Sequence, residues 1–233
     1  MKGRAYVTDP RALAELPVLT ASVCALRTLF SSGLASQLAP LGNPHLEPQV
    51  GQGMGLRARS AAVLILVCDE TAPTILLTRR SAKLRYPGYE VFPGGLRDPG
   101  DADALATMRR EVSEEIGLGP SDYDVLGQLG DYCTHSGYRI TPFVGYAPRM
   151  PRLEPSPAEV EAVSYLPLGR VLDGSNYELR VRATSPFRAN YLLRHEKTHV
   201  TGPTVSLLIH LYTALAQMHA DAGGTAATSL RST

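Results

Sequence analysis

The chain has 233 residues, 44% of them apolar, and 23 Lys and Arg against 22 Asp and Glu, a formal net charge of +1. That length suits one domain with elaborated ends, the apolar share rules out wholesale disorder, and near-neutral charge argues against a general nucleic-acid or membrane-surface binder. Cys24, Cys68 and Cys133 are far apart and form no C-x-x-C pair, which argues against a disulfide framework or a structural zinc site. No apolar run has the length to span a bilayer, and Lys2 and Arg4 precede no leader-like apolar stretch, so the cytoplasm is the expected compartment.

In chain order, the spacing of Leu13, Leu16, Leu19, Val23, Leu26 and Phe30 predicts a helical segment over 10–38, divided at Pro17. Residues 40–55, rich in Gly and Pro, read as a linker. Ala61–Cys68 is an unbroken apolar run expected of a buried strand, with Thr74–Thr78 its hairpin partner. Residues 79–100 read as loop. A helix follows over 101–116, with Asp101 as N-cap and Gly117 as its stop. Strands are expected near 126–133, 138–146, 160–166 and 187–193, with a Pro-containing loop over 148–157 and a closing helix over 203–219. Strands on both sides of a central helix imply a mixed sheet with helices on its faces. The expected division is an N-terminal helical extension and linker over 1–56, a main domain over 57–220 and a flexible tail over 221–233.

The informative stretch is Gly94–Leu118, GGLRDPGDADALATMRREVSEEIGL. Leu105, Met108, Val112 and Ile116 recur at helical spacing and would face a core, whereas Glu111, Glu114 and Glu115 project away from that stripe. Their carboxylates are helix neighbours at three and four residues, in the last turns, where the helix dipole disfavours negative charge. Each like-charge pair costs about 0.2–0.5 kcal/mol in an isolated helix. A divalent cation reverses that penalty, and hard oxygen ligands suit Mg²⁺ or Mn²⁺. A bare E-x-x-E-E run is usually a solvated face, with Arg110 and Glu114 an ordinary i,i+4 pair. Here a Gly-Gly turn and an Asp-rich loop accompany it.

From Arg110 to Leu118, REVSEEIGL, the segment resembles the second half of the Nudix box. The first half departs from the family pattern: Asp101 stands where a Glu is usual, and eight residues instead of seven separate it from Arg110. The partner of Arg110 is left open between Asp101 and Asp98. Residues 76–95, LLTRRSAKLRYPGYEVFPGG, are similar to the extended motif of the coenzyme A pyrophosphatase branch of that family, with the stretch between Arg85 and Phe92 one residue short. The resemblance spans about 60 to 172 and leaves the first fifty residues uncovered.

The resemblance implies a Nudix-type α/β/α sandwich with a mixed β-sheet. It implies a Mg²⁺- or Mn²⁺-dependent hydrolase of a small nucleotide substrate, most specifically coenzyme A or acyl-CoA, cut to 3′,5′-ADP and (acyl-)4′-phosphopantetheine. The alternatives within the family are ADP-ribose or another nucleoside diphosphate derivative; outside enzymes, a non-catalytic nucleotide sensor. Such sensors usually lose box glutamates, and all three remain here. Glu111, Glu114 and Glu115 are the expected metal ligands, with the Gly95 carbonyl completing one coordination sphere. Arg110 is expected to hold the loop and glutamates in register. The general base belongs to the box or to a distant loop; Glu159, in Ser-Pro-x-Glu-Val, is favoured, with Glu161 beside it.

Arg79, Arg80, Lys83 and Arg85 form a cationic cluster suited to a phosphate-rich ligand, and a basic solvated loop is the plain alternative for Arg79 and Lys83. Arg80, Ser81 and Arg85 occupy motif positions and are the substrate-binding candidates. Phe92 is first a loop-packing residue and second an adenine-stacking candidate. Tyr132, His135 and Tyr138 are candidates for the pocket border. No nucleic-acid or membrane partner is expected; a homodimer through the N-terminal helices is open. His195-Glu196-Lys197-Thr198-His199 matches H-E-x-x-H, but β-branched neighbours and Gly202-Pro203 argue against the helix that zinc motif needs.

Overall fold

Strand β2 (Arg59–Asp69) is the axis of the fold in the computed structural model, which describes residues 6–9, 13, 16–37, 58–134, 136–182, 185–195 and 198–229. Alternate side chains of its apolar run serve two cores. Ala62, Leu64, Leu66 and Cys68 pack with Met108, Val112 and Ile116, whereas Ile65 and Val67 pack with Leu26, Leu29, Leu208 and Tyr212. A strand buried on both faces needs a continuous apolar run, and this one has it.

β2 pairs antiparallel with β3 (Pro73–Arg80) and with β5 (Gly94–Leu96), and parallel with β8 (Tyr138–Ala147) over its full length. β4 (Glu90–Val91) and β9 (Val160–Pro167) flank β3, while β6 (Asp124–Gln128) and β7 (Tyr132–Cys133) pair with β8. The eight strands therefore form a mixed sheet. A second, antiparallel sheet runs in the order β1 (Tyr6–Asp9), β10 (Tyr177–Arg182), β11 (Ser185–His195), β12 (Thr198–Thr201).

Helix α3 (Ala104–Ile116) covers one face of the large sheet. On the other side lie α1 (Val23–Ser31), the short α2 (Leu34–Gln37), the single-turn α4 (Leu168–Val171) and the long α5 (Gly202–Ser229). The result is an α/β/α sandwich.

Several expectations change. Among the described residues the helix predicted over 10–38 begins at Val23, where the Ser22 side chain accepts the Ala25 N–H, and residues 17–22 are irregular. Leu13, Leu16 and Leu19 still pack on the core, so their spacing recorded which side faces inward and not the backbone state. Among the described residues α1 and α2 are divided at Gly33, in the left-handed region at φ 73°, and before Pro17 only residues 13 and 16 of the expected segment are described. Two strands lie inside the predicted 79–100 loop; at two and three residues they are too short to display a period. The N-cap of α3 is Asp103, whose side chain accepts the Ala106 N–H at 2.8 Å, because Asp101 is engaged by Arg110. The strand predicted over 126–133 is divided into β6 and β7, and β1, β10 and β12 were not anticipated.

The closing helix continues to Ser229, beyond the point at 220 where a tail was expected. The N-terminal segment is built into the molecule, since β1 pairs with β10, and α1 packs against β6 and α5. The 40–55 linker lies outside the described residues. The H-E-x-x-H segment is no helix: β11 and β12 pair there, with Arg194 opposite His199. Among the described residues no helix is long and apolar enough to cross a membrane.

Candidate active site and metal centre

Helix α3 buries Met108, Val112 and Ile116 on one stripe, which fixes its rotation about its axis. Glu111 and Glu115, four residues apart, then share the neighbouring face and point toward β5. Gly117, at φ 76°, ends the helix in a left-handed cap. The loop between β8 and β9 closes over that end, with Glu154 N–H donating to the Ile116 carbonyl at 2.9 Å and Ser156 N–H to the Glu115 carbonyl at 2.8 Å. These bonds satisfy helix carbonyls that would otherwise lack partners.

The same loop delivers Glu159. Its N–H donates to the Ser156 carbonyl at 3.0 Å, and its own carbonyl accepts the Ser81 N–H at 2.9 Å, tying it to the end of β3. Glu111, Glu115 and Glu159 each present an oxygen within 4.8 Å of the others.

The glycine turn lies directly beneath. Gly94 N–H donates to Glu115 Oε2 at 3.0 Å. Gly94 sits at φ 141° against β2, where a Cβ would collide with the Ala62 carbonyl and the Val63 Cα. At Gly95 a Cβ would strike the Glu111 carboxylate, which would have to move from its place beside β5.

Electrostatically the cluster is short of positive charge. Burial pushes the Glu115 carboxyl up to about 7, with repulsion from Glu159 and Glu111 adding to it and the Gly94 N–H and Arg80 opposing. Burial also raises Glu111, against the pull of Arg110. Crowded carboxylates that resist ionisation when alone fit a divalent cation: three hard oxygen donors converge, and a cation replaces their repulsion with attraction.

Arg110 organises the rim. Its Nε and Nη2 hold Asp101 Oδ1 and Oδ2, each at 3.0 Å, and Nη2 also donates to the Leu96 carbonyl at 2.9 Å. Asp98 stands 4.0 Å away, so Asp101 is the partner. The paired guanidinium holds the Asp101 carboxyl well below the usual carboxylate range. Arg97 Nη2 ties the one-residue-longer loop by donating to the Asp101 and Ala102 carbonyls, both at 3.0 Å. Arg110 Nη1 meets Glu111 Oε1 at 3.0 Å and Glu114 Oε2 at 2.9 Å.

Glu114 is thus not gathered with the other two helix glutamates. Its side chain is 54% exposed on the Arg110 flank, one residue off the face that Glu111 and Glu115 share.

The cationic cluster separates by position. Arg79 pairs with the buried Glu90 at 3.6 Å. Arg80 is half-buried, donates through Nε to the Arg85 carbonyl at 3.1 Å, and lines a cavity of about 410 Å³. Arg85 is exposed and lies over the Tyr86 ring at 4.9 Å. Ser81 is buried and caps its own turn, its Oγ accepting the Lys83 N–H at 3.3 Å. Phe92 is 3% exposed within the core, which makes it a packing residue and removes it from adenine stacking.

Tyr132 and Tyr138 line the cavity with Arg80, as do Tyr86, Tyr89 and the first residues of α5. His135 lies outside the described residues. Sequence reasoning missed the two loop tyrosines and the α5 turn, because nothing local in the chain marks residues that meet only in the fold.

A helix-borne carboxylate cluster over a glycine turn, in an α/β/α sandwich, is the equipment of a hydrolase acting on phosphorus anhydrides. The NUDIX domain family matches residues 58–184, and the chain belongs to the Nudix family. It is 37% identical over 155 residues to the uncharacterized Nudix hydrolase NudL of Photorhabdus laumondii subsp. laumondii, covering 66% of this chain and 83% of that one. To the NudL of Yersinia pestis strain Pestoides F it is 36% identical over 155 residues, covering 66% and 78%. Among solved structures it is similar to the Nudix hydrolase RenU of M. smegmatis, at 20% identity and a TM-score of 0.43 over 50% of this chain and 74% of that one. It is likewise similar to a MutT/nudix family protein of Enterococcus faecalis, at 13% identity and a TM-score of 0.42 over 82% and 73%. The protein is a Nudix pyrophosphohydrolase, of a family that generally uses divalent metals.

Proposed function

We propose that the protein hydrolyses the pyrophosphate bond of coenzyme A or acyl-CoA, giving 3′,5′-ADP and 4′-phosphopantetheine or its acyl form, with Mg²⁺ or Mn²⁺. The observation that carries the reaction is the convergence of Glu111, Glu115 and Glu159 within 4.8 Å. The substrate rests on the LLTRRSAKLRYPGYEVFPGG segment and on its Arg80, which lines the neighbouring cavity.

Glu111, Glu115 and Glu159 would hold the metal, with the Gly95 carbonyl as a backbone donor and Glu114 completing the acidic rim. When bound, the metal neutralises bridging oxygens and favours in-line attack of water on phosphorus. Glu159 comes from a separate loop and faces the helix pair across the cluster, which suits its carboxylate to accept the proton of that water. Arg110 positions: its grip on Asp101 and Glu111 sets the loop and helix in register. Arg80 steadies phosphate oxygens at the cluster edge.

The test is a substrate panel of coenzyme A, ADP-ribose, NADH and nucleoside triphosphates with Mg²⁺ or Mn²⁺, products identified by mass. The expected result is 3′,5′-ADP and 4′-phosphopantetheine from coenzyme A. Cleavage of ADP-ribose or NADH with coenzyme A intact would replace the substrate assignment, and no cleavage of anything would leave a binding module.

A further inference from the structure

Ser81 stands at a motif position, yet it is 6% exposed, and the cavity beside the glutamates is lined by Arg80 and not by Ser81. A substrate contact has to reach the space a substrate occupies, so Ser81 has another task, and its bonds name it. Its hydroxyl accepts the Lys83 N–H at 3.3 Å and its carbonyl accepts the Leu84 N–H at 3.1 Å, which locks the turn that follows β3. Its N–H is left for the neighbouring segment and donates to the Glu159 carbonyl at 2.9 Å.

That bond exists because the ladder between β3 and β9 slips by one residue. Arg79 faces Ala162, whereas Arg80 faces Val160, and Glu161 is passed over. In unbroken register Ser81 would face Val160; the slip brings Glu159 opposite it instead. A one-residue slip exchanges the side chains that the two faces of a strand present, and bulges beside active sites re-aim a residue in this way. Here Val160 enters the core with Met108 and Val112, and Glu159 joins Glu111 and Glu115.

Both supports of Glu159 are firm. At the end of β3, Arg80 N–H donates to the Tyr89 carbonyl at 3.0 Å, the Arg80 carbonyl accepts the Gly88 N–H at 2.9 Å, and the Arg80 side chain closes the same loop on the Arg85 carbonyl at 3.1 Å. On the other side, the Ser156 carbonyl accepts the N–H groups of Glu159 at 3.0 Å and Val160 at 2.8 Å, while Ser156 N–H donates to the Glu115 carbonyl at 2.8 Å. Glu159 is thus held between β3 and the helix that carries its two partners. Loosening the β3 end lets its carboxylate drift from theirs, and a metal site tolerates little drift.

We propose that Ser81 is a positioning residue for Glu159: the turn capped by its hydroxyl fixes the N–H that holds the Glu159 backbone, so that this carboxylate closes the cluster with Glu111 and Glu115. Ser81 touches neither substrate nor metal and acts through Glu159. The role rests on the reading of the three carboxylates as metal ligands.

The experiment is a double-mutant cycle on the full chain, read by Mn²⁺ titration with electron paramagnetic resonance, over the wild type, Ser81→Ala, Glu159→Gln and the double variant. Ser81→Ala keeps the N–H, removes the acceptor of the Lys83 N–H, and should weaken Mn²⁺ binding about five-fold. In the Glu159→Gln background the same change should cost less than about two-fold, because the carboxylate it serves is already gone. A merely structural Ser81 would lower Tm in both backgrounds and leave the Mn²⁺ affinity of the folded protein unchanged. If Glu159→Gln weakens Mn²⁺ binding but Ser81→Ala does not, or if the Ser81→Ala loss persists in full beside Glu159→Gln, the positioning role alone is overturned. If Glu159→Gln binds Mn²⁺ as the wild type does, the ligand assignment falls and this role with it. Amide hydrogen exchange in the wild type keeps the test decisive should Ser81→Ala not fold: Mg²⁺ should slow exchange at Ser81 at least about ten-fold more than in β10, and equal slowing at both contradicts the role.

Discussion

Glu115 is the residue on which chemistry and stability meet. Its carboxyl is 5% exposed and pushed up to about 7 by burial and by its two acidic neighbours. A folded-state value above the unfolded one means that the metal-free fold gains from the protonated form, and that this gain is present below about pH 4.5 and lost as pH rises through 7. The loss is on the order of 3 kcal/mol. The Tm of metal-free protein should therefore fall between those pH values, and Glu115→Gln should flatten the fall; an equal slope in the variant would contradict the assignment. The same substitution should lower metal-dependent turnover by more than about a hundred-fold with far-UV circular dichroism unchanged. At this scale the helix glutamates were legible, because their spacing alone makes them neighbours. The Arg110–Glu114 pair was legible only as one of two alternatives, since the choice depends on where Asp101 and Leu96 put the guanidinium.

The functional elements are short pieces held by backbone. β5 is three residues long, yet it carries the glycine turn and lies between β2 and the Glu111–Glu115 face of α3. Gly94→Ala would force a Cβ into the Ala62 carbonyl at a φ that L-residues avoid, costing about 1–3 kcal/mol and lowering Tm by several degrees in a thermal melt. The Arg110–Asp101 clamp is the second device. Asp101→Asn keeps the shape but removes the charge, and should raise the metal concentration needed for half-maximal activity roughly ten- to a hundred-fold while kcat at saturating metal changes less. An unchanged metal requirement would assign the clamp to folding only. Of the long elements, β2 was readable from its unbroken apolar run and α3 from its hydrophobic period. β4 and β5 were not, because two or three residues hold no period, and Asp103 was hidden as a cap by the other aspartates of its loop.

Across the whole molecule, the uncovered N-terminal segment contributes to the core that supports the site. Leu26 and Leu29 are fully buried against the sheet and α5, and the Tyr212 hydroxyl donates to the Pro17 carbonyl at 2.6 Å. Removing residues 1–31 should expose that face and α5, giving a lower Tm and aggregation in light scattering, not merely a smaller active enzyme. Fold class was legible from strands on either side of an amphipathic helix. The four-stranded second sheet was not, because its pairings join residues 6–9 to 177–182, and no local pattern announces a partner so distant. Glu159 stands between these cases: a sequence motif named it, and only the loop bonded to the end of α3 brings it to Glu111 and Glu115. The most direct measurement is a Mn²⁺ titration followed by electron paramagnetic resonance, on the wild type, Glu115→Gln and Glu159→Gln. Mn²⁺ should bind the wild type and be weakened at least ten-fold in each variant while both stay folded; undiminished binding in either would contradict a metal held by carboxylates from both the helix and the loop.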